Sequence, residues 1–232
     1  EQIRASPVGP EQPDSRVHVD VLVASWRRPE LLKRALDSVE RVREAHAASL
    51  CLHVHVIDEE AGSGAGPAAA RNLAAARGEA EFIALLDDDD QWTTDRLVRS
   101  IDFLKSEPDL ALVCGDMGGA ESSALQGRVS IPTEGRTLNH RDLTLDCFVC
   151  TSTVTLRRTD WEHAGGMNEK LQRAEDYDLW LRLTGEGRNI RVLPELLALY
   201  GEQLHRLSDD RVAMVRATRE VLTSSAHLES DR

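Results

Sequence analysis

One stretch decides the fold of this chain: Glu81-Phe-Ile-Ala-Leu-Leu-Asp-Asp-Asp-Asp-Gln-Trp92. The apolar run at residues 82–86 predicts a buried strand of a parallel sheet, because such strands are covered on both faces. The run ends at four consecutive carboxylates, residues 87–90, which repel one another. A divalent cation such as Mg²⁺ or Mn²⁺ would relieve this repulsion, and open α/β sheets bind ligands at the carboxyl ends of strands. A solvated acidic turn is the alternative interpretation.

Strand and helix patterns alternate on both sides of this stretch. Further strands are predicted at residues 17–24, 52–57, 110–114, 148–156, 190–193 and 196–200. Helices are predicted from Pro29 to about residue 42 and at 67–77, 94–105, 175–183 and 212–222, with an irregular segment at 115–146. Residues 1–16 are proline-rich and are expected to form a disordered or extended tail. The alternation predicts an α/β fold with a mostly parallel central sheet flanked by helices.

The composition excludes several classes of function. The chain of 232 residues is 41% hydrophobic and carries a formal charge of −12. This acidic balance argues against nucleic acid or an anionic membrane surface as the main partner. No run approaches the roughly 18 apolar residues of a membrane-spanning helix, so we expect no transmembrane segment. The four cysteines suit a reducing compartment, and we expect a cytoplasmic protein.

Two groups of metal-binding residue types have simpler explanations. Cys147-Phe-Val-Cys150 has the spacing of a zinc knuckle or a redox pair, but the sequence contains no second such pair. We expect Cys51 and Cys114 to be small core residues. His53 and His55 share one face of a predicted strand, and a half-exposed strand face is the simpler expectation for them.

A second informative stretch runs from Gly165 to Arg182. Its two opening glycines allow the backbone to approach a ligand closely. Glu175 and Asp176 are predicted to lie at a helix N-terminus, where the helix dipole favours the ionised carboxylate. An ionised carboxylate that faces a bound hydroxyl can act as a general base. Ordinary capping by acidic residues in the first helical turn is the alternative interpretation.

Four stretches, in this order along the chain, resemble the family 2 glycosyltransferases, which have the GT-A fold. They are Val23-Ala-Ser-Trp-Arg-Arg-Pro29, then Val56-Ile-Asp58, then Ala70-Arg-Asn72 with the acidic stretch, and finally Gly165-Gly-Met-Asn-Glu169 through Glu175-Asp-Tyr-Asp-Leu-Trp-Leu-Arg182. The resemblance implies a GT-A domain at 17–206, divided into a nucleotide-sugar-binding half at 17–114 and an acceptor-binding half at 115–206. A C-terminal helix and tail would follow at 207–232.

The resemblance also implies a nucleotide-sugar pocket, and it assigns seven residues to it. They are Ala24, Ser25, Arg27, Asp58, Arg71, Asp87 and Asp88. Asp58 would receive the base of a UDP-, GDP- or dTDP-sugar, and Arg71 would contact the base or the diphosphate. The chain has Asp58-Glu59-Glu60 where the family usually has Asp-Asp or Asp-Asn, so the identity of the base stays open.

The resemblance further implies a metal site and a general base. Asp87 and Asp89 match the ends of the family's Asp-x-Asp motif, and Asp89 would hold Mn²⁺ or Mg²⁺ on the diphosphate. His205, in a closing Tyr…His…Ser segment, would reach the metal or the phosphates. Asp176 matches the presumed base, with Glu175 as its orienting neighbour. The sugar and acceptor side would be lined by Gly165, Gly166, Asp90 and Trp180.

The function implied by the resemblance is that of an inverting glycosyltransferase. The hydroxyl of a small-molecule or glycan acceptor would attack the anomeric carbon, and Asp176 would take its proton. One alternative is a sugar-nucleotide nucleotidyltransferase, but such enzymes use a glycine-rich loop where this chain reads Ala-Ser-Trp-Arg-Arg-Pro-Glu. The other is a non-catalytic nucleotide-sugar-binding module, which is disfavoured because both acidic groups are intact. A homodimer is left open.

Overall fold

The computed structural model describes residues 14–58, 66–119, 122–123, 135–201 and 209–225. Several sequence predictions therefore lie outside the described residues. They concern the tail up to residue 13, the acidic residues Glu59 and Glu60, part of 115–146, the segment with His205, and residues 226–232.

Strands and helices alternate through most of the chain. The strands are β1 (Val17–Ser25), β2 (Leu50–Asp58), β3 (Phe82–Asp87), β4 (Gln91–Trp92), β5 (Leu110–Gly119), β6 (Ser122–Ser123), β7 (Arg136–Leu138), β8 (Thr155–Arg157) and β9 (Asn189–Leu199). The helices are α1 (Pro29–Ala45), α2 (Gly66–Ala75), α3 (Arg96–Ser106), α4 (His140–Leu145), α5 (Arg158–His163), α6 (Glu175–Gly185) and α7 (Arg211–Ser225). The five predicted helices are confirmed to within about two or three residues at each end.

The sheet has the order β2-β1-β3-β8-β5-β9-β4, with β6 paired to β5 and β7 paired to β9. The three long ladders, β1–β2, β1–β3 and β5–β9, are parallel. The short strand β8 lies antiparallel between β3 and β5. The predicted α/β fold with a mostly parallel central sheet is confirmed, and the antiparallel insertion of β8 is an addition to it.

The core lies on both faces of the sheet. Val19, Val21 and Val23 pack on the face covered by α1 and α3, while Leu22 and Leu85 pack on the face covered by α2 and α6. Burying each such side chain stabilises the fold by roughly 1.5–3 kcal/mol. The central strands are therefore rigid supports for the residues at their ends. Among the described residues, none of the helices has the length and hydropathy that crossing a membrane requires.

The predicted strand at 148–156 is wrong for most of its length. Residues Thr151–Thr153 form a 3₁₀ turn, and only Thr155–Arg157 are extended in the sheet. The Thr153 hydroxyl donates to the Cys150 carbonyl at 2.7 Å, a local bond that competes with strand pairing.

The two predicted strands at 190–193 and 196–200 are one strand, β9. Leu193 pairs with Gly115 and Leu196 pairs with Asp116, so Pro194 and Glu195 form a bulge. A bulge accommodates a proline, which cannot donate to the ladder. The segment 115–146, predicted to be irregular, includes the end of β5, β7 and a helix, α4, with an Asn139–Asp142 capping box.

Candidate active site

The carboxyl ends of three neighbouring strands form the floor of the candidate site. Ser25 of β1 is in register with Asp58 of β2, and Ala24 is in register with Asp87 of β3. Parallel pairing brings these strand ends to the same edge of the sheet. The structure thus places together four of the predicted nucleotide-binding positions, which come from three distant stretches of the sequence.

Two carboxylates hold the turn between β1 and α1. Arg27 has a φ of 52°, in the left-handed region, which costs a non-glycine residue roughly 1–2 kcal/mol. Its backbone N–H donates to the Asp58 carboxylate at 3.1 Å, and the N–H of Trp26 donates to Asp88 at 3.3 Å. The turn leaves the Trp26 side chain 61% exposed at the rim of the site.

Asp88 points into the protein rather than into the site. It is fully buried, and the guanidinium of Arg28 contacts both of its carboxylate oxygens. Burial raises the pKa of Asp88, and Arg28 opposes this rise. The expected direct contact of Asp88 with the nucleotide-sugar does not fit this placement, because a fully buried carboxylate has no surface to offer a ligand.

Asp87, Asp89 and Asp90 form a compact acidic cluster. One carboxylate oxygen from each lies within 4.8 Å of the other two. Ser152 connects the cluster, because its hydroxyl donates to Asp90 at 2.7 Å and accepts from the Asp87 N–H at 3.0 Å. Three carboxylates are the hard oxygen ligands that Mg²⁺ and Mn²⁺ take, so the residues fit such an ion. His205 lies outside the described residues.

Arg71 of α2 joins this cluster to the start of α6. Its guanidinium contacts Asp87 on one side and donates to Glu175 at 2.8 Å on the other. The side chain is buried, and burial alone would lower its pKa, but the charges of Asp87 and Glu175 raise it above its ordinary value. Arg71 is therefore the positive charge between two acidic groups 88 positions apart in the sequence.

Glu175 and Asp176 at the start of α6 have different surroundings. Burial raises the pKa of Glu175, the neighbouring charge of Asp176 adds to this rise, and Arg71 opposes it. Asp176 is partly exposed; its carboxylate accepts the Thr151 hydroxyl at 2.7 Å and the Tyr177 N–H at 2.7 Å. Asp176 is therefore the more accessible of the two carboxylates.

The glycine loop before α6 is fastened to α2. Gly165 and Gly166 have φ values of 74° and 72°. Asn72 donates to the Met167 carbonyl and accepts the Met167 N–H, both at 2.9 Å. A side chain at Gly166 would meet Asn72 at 2.5 Å, so the loop can pack this closely only with glycine. Trp180, predicted on the acceptor side, is instead fully buried in the core.

Arg96 supports the site from beneath, and sequence reasoning missed it. This fully buried side chain donates to the carbonyls of Ser152 at 2.9 Å and Val154 at 2.8 Å. It also lies 4.1 Å from the centre of the Trp92 ring. Burial lowers the pKa of Arg96 to about 9, which leaves it charged at neutral pH. Arg96 thereby fixes the turn that carries Thr151 and Ser152 to the two acidic groups.

Gly201 leaves no room for a side chain beside the acidic cluster. A Cβ atom there would lie 1.6 Å from the backbone oxygen of Asp89. We expect Gly201→Ala to displace Asp89, to weaken joint protection by Mn²⁺ and UDP, and to cost roughly 1–3 kcal/mol of stability. Gly165→Ala is the control for lost stability. Its Cβ would meet nothing within 4 Å, but the φ of 74° strains an alanine by roughly 1–2 kcal/mol, so this variant should lose stability and keep the joint protection. Thermal unfolding with and without both ligands tests this, and equal protection of both variants would contradict it.

Solved structures with the same fold include a mannosyltransferase. The structure of S. aureus TarS 1–349 in complex with UDP-GlcNAc matches with a TM-score of 0.62 and 16% identity, over 88% of this chain and 65% of that one. A mannosyltransferase, PcManGT from Pyrobaculum calidifontis in complex with GDP-Man and Mn²⁺, matches with a TM-score of 0.61 and 15% identity, over 92% of this chain and 70% of that one. These likenesses confirm the GT-A fold.

Sequence comparison identifies the family. The chain is 29% identical over 126 residues to the UDP-Glc:alpha-D-GlcNAc-diphosphoundecaprenol beta-1,3-glucosyltransferase WfaP of Escherichia coli. That match covers 54% of this chain and 47% of the relative, so it spans about half the length of that protein. The model of glycosyl transferase family 2 matches residues 36–164, more than half of the chain. The chain therefore belongs to glycosyl transferase family 2.

Proposed function

We propose that this protein transfers a sugar from a nucleotide-diphospho-sugar to an acceptor hydroxyl by a single, inverting displacement. The observation that carries the proposal is the bridge of Arg71 between Asp87 and Glu175. It sets the acidic cluster and the acidic start of α6 on opposite sides of one guanidinium. Structures of this fold bind UDP, UDP-GlcNAc and GDP-Man, which supports a donor of the same chemical class.

The donor nucleotide would lie across the ends of β1, β2 and β3. Asp58 is exposed there and would accept a hydrogen bond from an N–H edge of a uracil, thymine or guanine base. Ala24 and Arg27 would surround the base and the ribose, and Asp87 would reach the ribose. The Ser25 side chain is buried and would support this pocket from beneath. Asp88 would act indirectly, by holding Arg28 and the backbone of Trp26.

The diphosphate would lie at the acidic cluster together with Mn²⁺ or Mg²⁺. Asp89 and Asp87 would hold the ion, with Asp90 and His205 as further candidates. When bound, the ion would offset the negative charge that grows on the departing nucleotide diphosphate. Arg71 forms ion pairs with Asp87 and Glu175 and would therefore fix the positions of these carboxylates. It would also add positive charge near the diphosphate.

Asp176 would be the general base. Its carboxylate is partly exposed and is oriented by the Thr151 hydroxyl, whereas Glu175 is buried against Arg71. A base must be ionised and within reach of the attacking hydroxyl, which favours Asp176. Glu175 would position Arg71 and the start of α6, and the loop with Gly165 and Gly166 would approach the sugar or the acceptor.

The remaining features of the proposal concern the whole chain. A nucleotide-sugar-binding half at 17–114 and an acceptor-binding half at 115–206 would meet at the contact between Arg71 and Glu175. The acceptor would be a small molecule or a glycan, and the protein would act in the cytoplasm, where its four free cysteines would stay reduced. The turn after β1 contains no glycine, which disfavours a nucleotidyltransferase.

Thermal unfolding with metal and nucleotide tests the donor site. We expect Mn²⁺ and UDP together to raise the melting temperature by more than the sum of their separate effects, because each ligand strengthens the binding of the other. Asp89→Ala should abolish this synergy. Asp102→Ala, which removes an exposed carboxylate on α3, should keep it. GDP and dTDP in place of UDP would rank the bases. If EDTA leaves the protection by UDP unchanged, the metal assignment is wrong.

A further inference from the structure

A second group of metal-binding side chains lies at the opposite end of the sheet. His18 of β1 and Cys51 and His53 of the edge strand β2 project from one face, since His18 is in register with Cys51 and Asp20 with His53. Seven residues of extended chain separate His18 from Ser25, a distance of about 23 Å. The group is therefore separate from the candidate active site.

The geometry of this group approaches that of a tetrahedral metal site. One ligand atom from each side chain lies within 4.8 Å of the other two. The Nδ1 atom of His18 is 3.0 Å from the Nε2 atom of His53, and the Cys51 sulfur is 3.7 Å from the same Nε2 atom. Zinc bonds of about 2.0–2.1 Å to nitrogen and 2.3 Å to sulfur place neighbouring tetrahedral ligands roughly 3.3–3.6 Å apart. The two distances to His53 therefore need to change by only a few tenths of an ångström for an ion to bind, and the third, between His18 and Cys51, is at most 4.8 Å.

We propose that His18, Cys51 and His53 bind Zn²⁺ or another borderline-soft divalent transition metal, with the fourth coordination position open to water. Imidazole and thiolate ligands select such ions, whereas carboxylates suit Mg²⁺ and Mn²⁺. The chain would then hold two kinds of metal at opposite ends of one sheet. The zinc would tie the beginning of β1 to the edge strand β2.

The imidazole and thiol groups of this site can give up the protons that a metal ion must replace. At 3.0 Å, one of the two ring nitrogens must offer its lone pair to the other. When a metal ion binds, the proton between the rings moves to the outer nitrogen of the ring that carries it, so that both facing nitrogens offer lone pairs. The Cys51 thiol releases its proton to solvent when the sulfur binds. His53 is exposed and Cys51 is half-buried, so an ion can reach the site from solvent. Cys51 was expected in the core, and its place at the sheet edge is a correction.

A carboxylate lies behind one of the proposed ligands. The Nε2 atom of His18 is 3.4 Å from an Asp14 oxygen, on the side of the ring away from His53. Asp14 is itself held by Arg16, whose backbone N–H donates to it at 3.0 Å. A carboxylate on the second nitrogen of a metal-binding histidine fixes the ring and makes it a better ligand. This arrangement supports His18 Nδ1 as the ligand atom.

His55 and Asp20 lie on the same face of the sheet, but they belong to a different hydrogen-bond network. His55 contacts Asp20 at 2.7 Å, and Arg158 donates to the same carboxylate at 2.6 Å. The Asp20 carboxylate also accepts the N–H of Ala80 at 2.8 Å. His55 is thus engaged by a buried carboxylate, which limits the proposed site to His18, Cys51 and His53.

Cobalt(II) is the probe for this site, because a thiolate ligand gives it a charge-transfer band and tetrahedral geometry gives it strong visible bands. The full chain, kept reduced and with Mg²⁺ in excess, should develop both bands with one equivalent of Co²⁺, and Zn²⁺ should remove them. Cys51→Ser should lose the thiolate band, and His53→Gln should weaken binding at least tenfold. Asp14→Asn should weaken Zn²⁺ binding by about tenfold.

Three controls separate this result from unfolding and from the active site. Cys147→Ser and His163→Gln remove a cysteine and an exposed histidine elsewhere and should keep the bands. Asp89→Ala should keep them as well, so the proposal can stand if the proposed function fails. Zn²⁺ should raise the melting temperature of the native chain but not that of Cys51→Ser, whose metal-free melting temperature should be nearly unchanged. Absence of a thiolate band in the native chain, or its persistence in Cys51→Ser, would overturn the proposal.

Discussion

Asp176→Asn should lower kcat by about 10²- to 10⁴-fold, the usual contribution of a general base, and should barely change donor affinity. Asparagine keeps the shape of the side chain and can still accept the Thr151 hydroxyl, but it cannot take a proton from the acceptor. Single-turnover rates with UDP-glucose, UDP-GlcNAc or GDP-mannose, using water or an added acceptor alcohol, would measure the effect.

Two further variants define the role of Asp176. Thr151→Val removes the hydroxyl that orients the carboxylate at 2.7 Å, and a loss of turnover of roughly fivefold is expected for about 1 kcal/mol of hydrogen bonding. Glu175→Gln keeps a side chain of the same shape beside Arg71 and should reduce turnover less than Asp176→Asn does.

Helix capping makes the opposite prediction for the same variants. If Asp176 only stabilises the start of α6, Asp176→Asn should lower stability by about 0.5–2 kcal/mol and keep most of its turnover. The residue before the helix, Ala174, cannot cap it with its side chain, and Asp176 does accept the Tyr177 N–H. Melting temperature and turnover must therefore be measured together. Lost stability with retained turnover would move the search for the base to Glu175 and Asp178.

The edge of the sheet that carries the candidate active site was predictable from the sequence, because the central strands are buried on both faces. β3 shows as a continuous apolar run and β1 as an apolar run from residue 21 to 24, and each run stops where the polar residues begin. Parallel register then places Ser25, Asp58 and Asp87 at one edge without further information. The resemblance supplied the remaining link, between Asp87 and the acidic start of α6.

The supporting residues were not predictable, because their roles depend on contacts between distant segments. Thr151 and Ser152 read as part of a strand, and only the 3₁₀ turn brings their hydroxyls to Asp176 and Asp90. Arg96 lies in a helical pattern where an arginine usually faces solvent. Its burial follows from the turn carbonyls it contacts, which are more than 50 positions away.

A sequence motif also does not show in which direction each of its side chains points. Asp87 and Asp88 are neighbours in the four-aspartate run, yet Asp87 faces Arg71 and Asp88 faces Arg28. Strand β3 ends at Asp87 and the chain turns at Asp88, so these two side chains point in different directions and have different roles. Trp180 is a similar case, because the face of α6 that carries it packs into the core.

Arg71→Met should destabilise the protein by about 3–5 kcal/mol at neutral pH, because it leaves the carboxylates of Glu175 and Asp87 without the positive charge that pairs with them. Glu175 would account for most of the loss, since it is nearly fully buried and the Asp87 side chain is 32% exposed. Arg71→Lys keeps a positive charge but cannot contact both carboxylates in the same way, so an intermediate loss is expected. Urea denaturation of the three proteins measures these differences.

The loss should shrink as the pH falls. Burial raises the pKa of Glu175 and Arg71 opposes this rise, so the pKa rises further in Arg71→Met. Between its unfolded and folded pKa values, such a carboxyl binds more protons in the native state, and stability therefore falls as the pH rises through this window. The double variant Arg71→Met/Glu175→Gln should recover part of the stability, because the uncompensated carboxylate is gone. If the double variant is less stable than Arg71→Met at neutral pH, and the loss in Arg71→Met does not depend on pH, then Arg71 does not act as the charge that holds Glu175 in place.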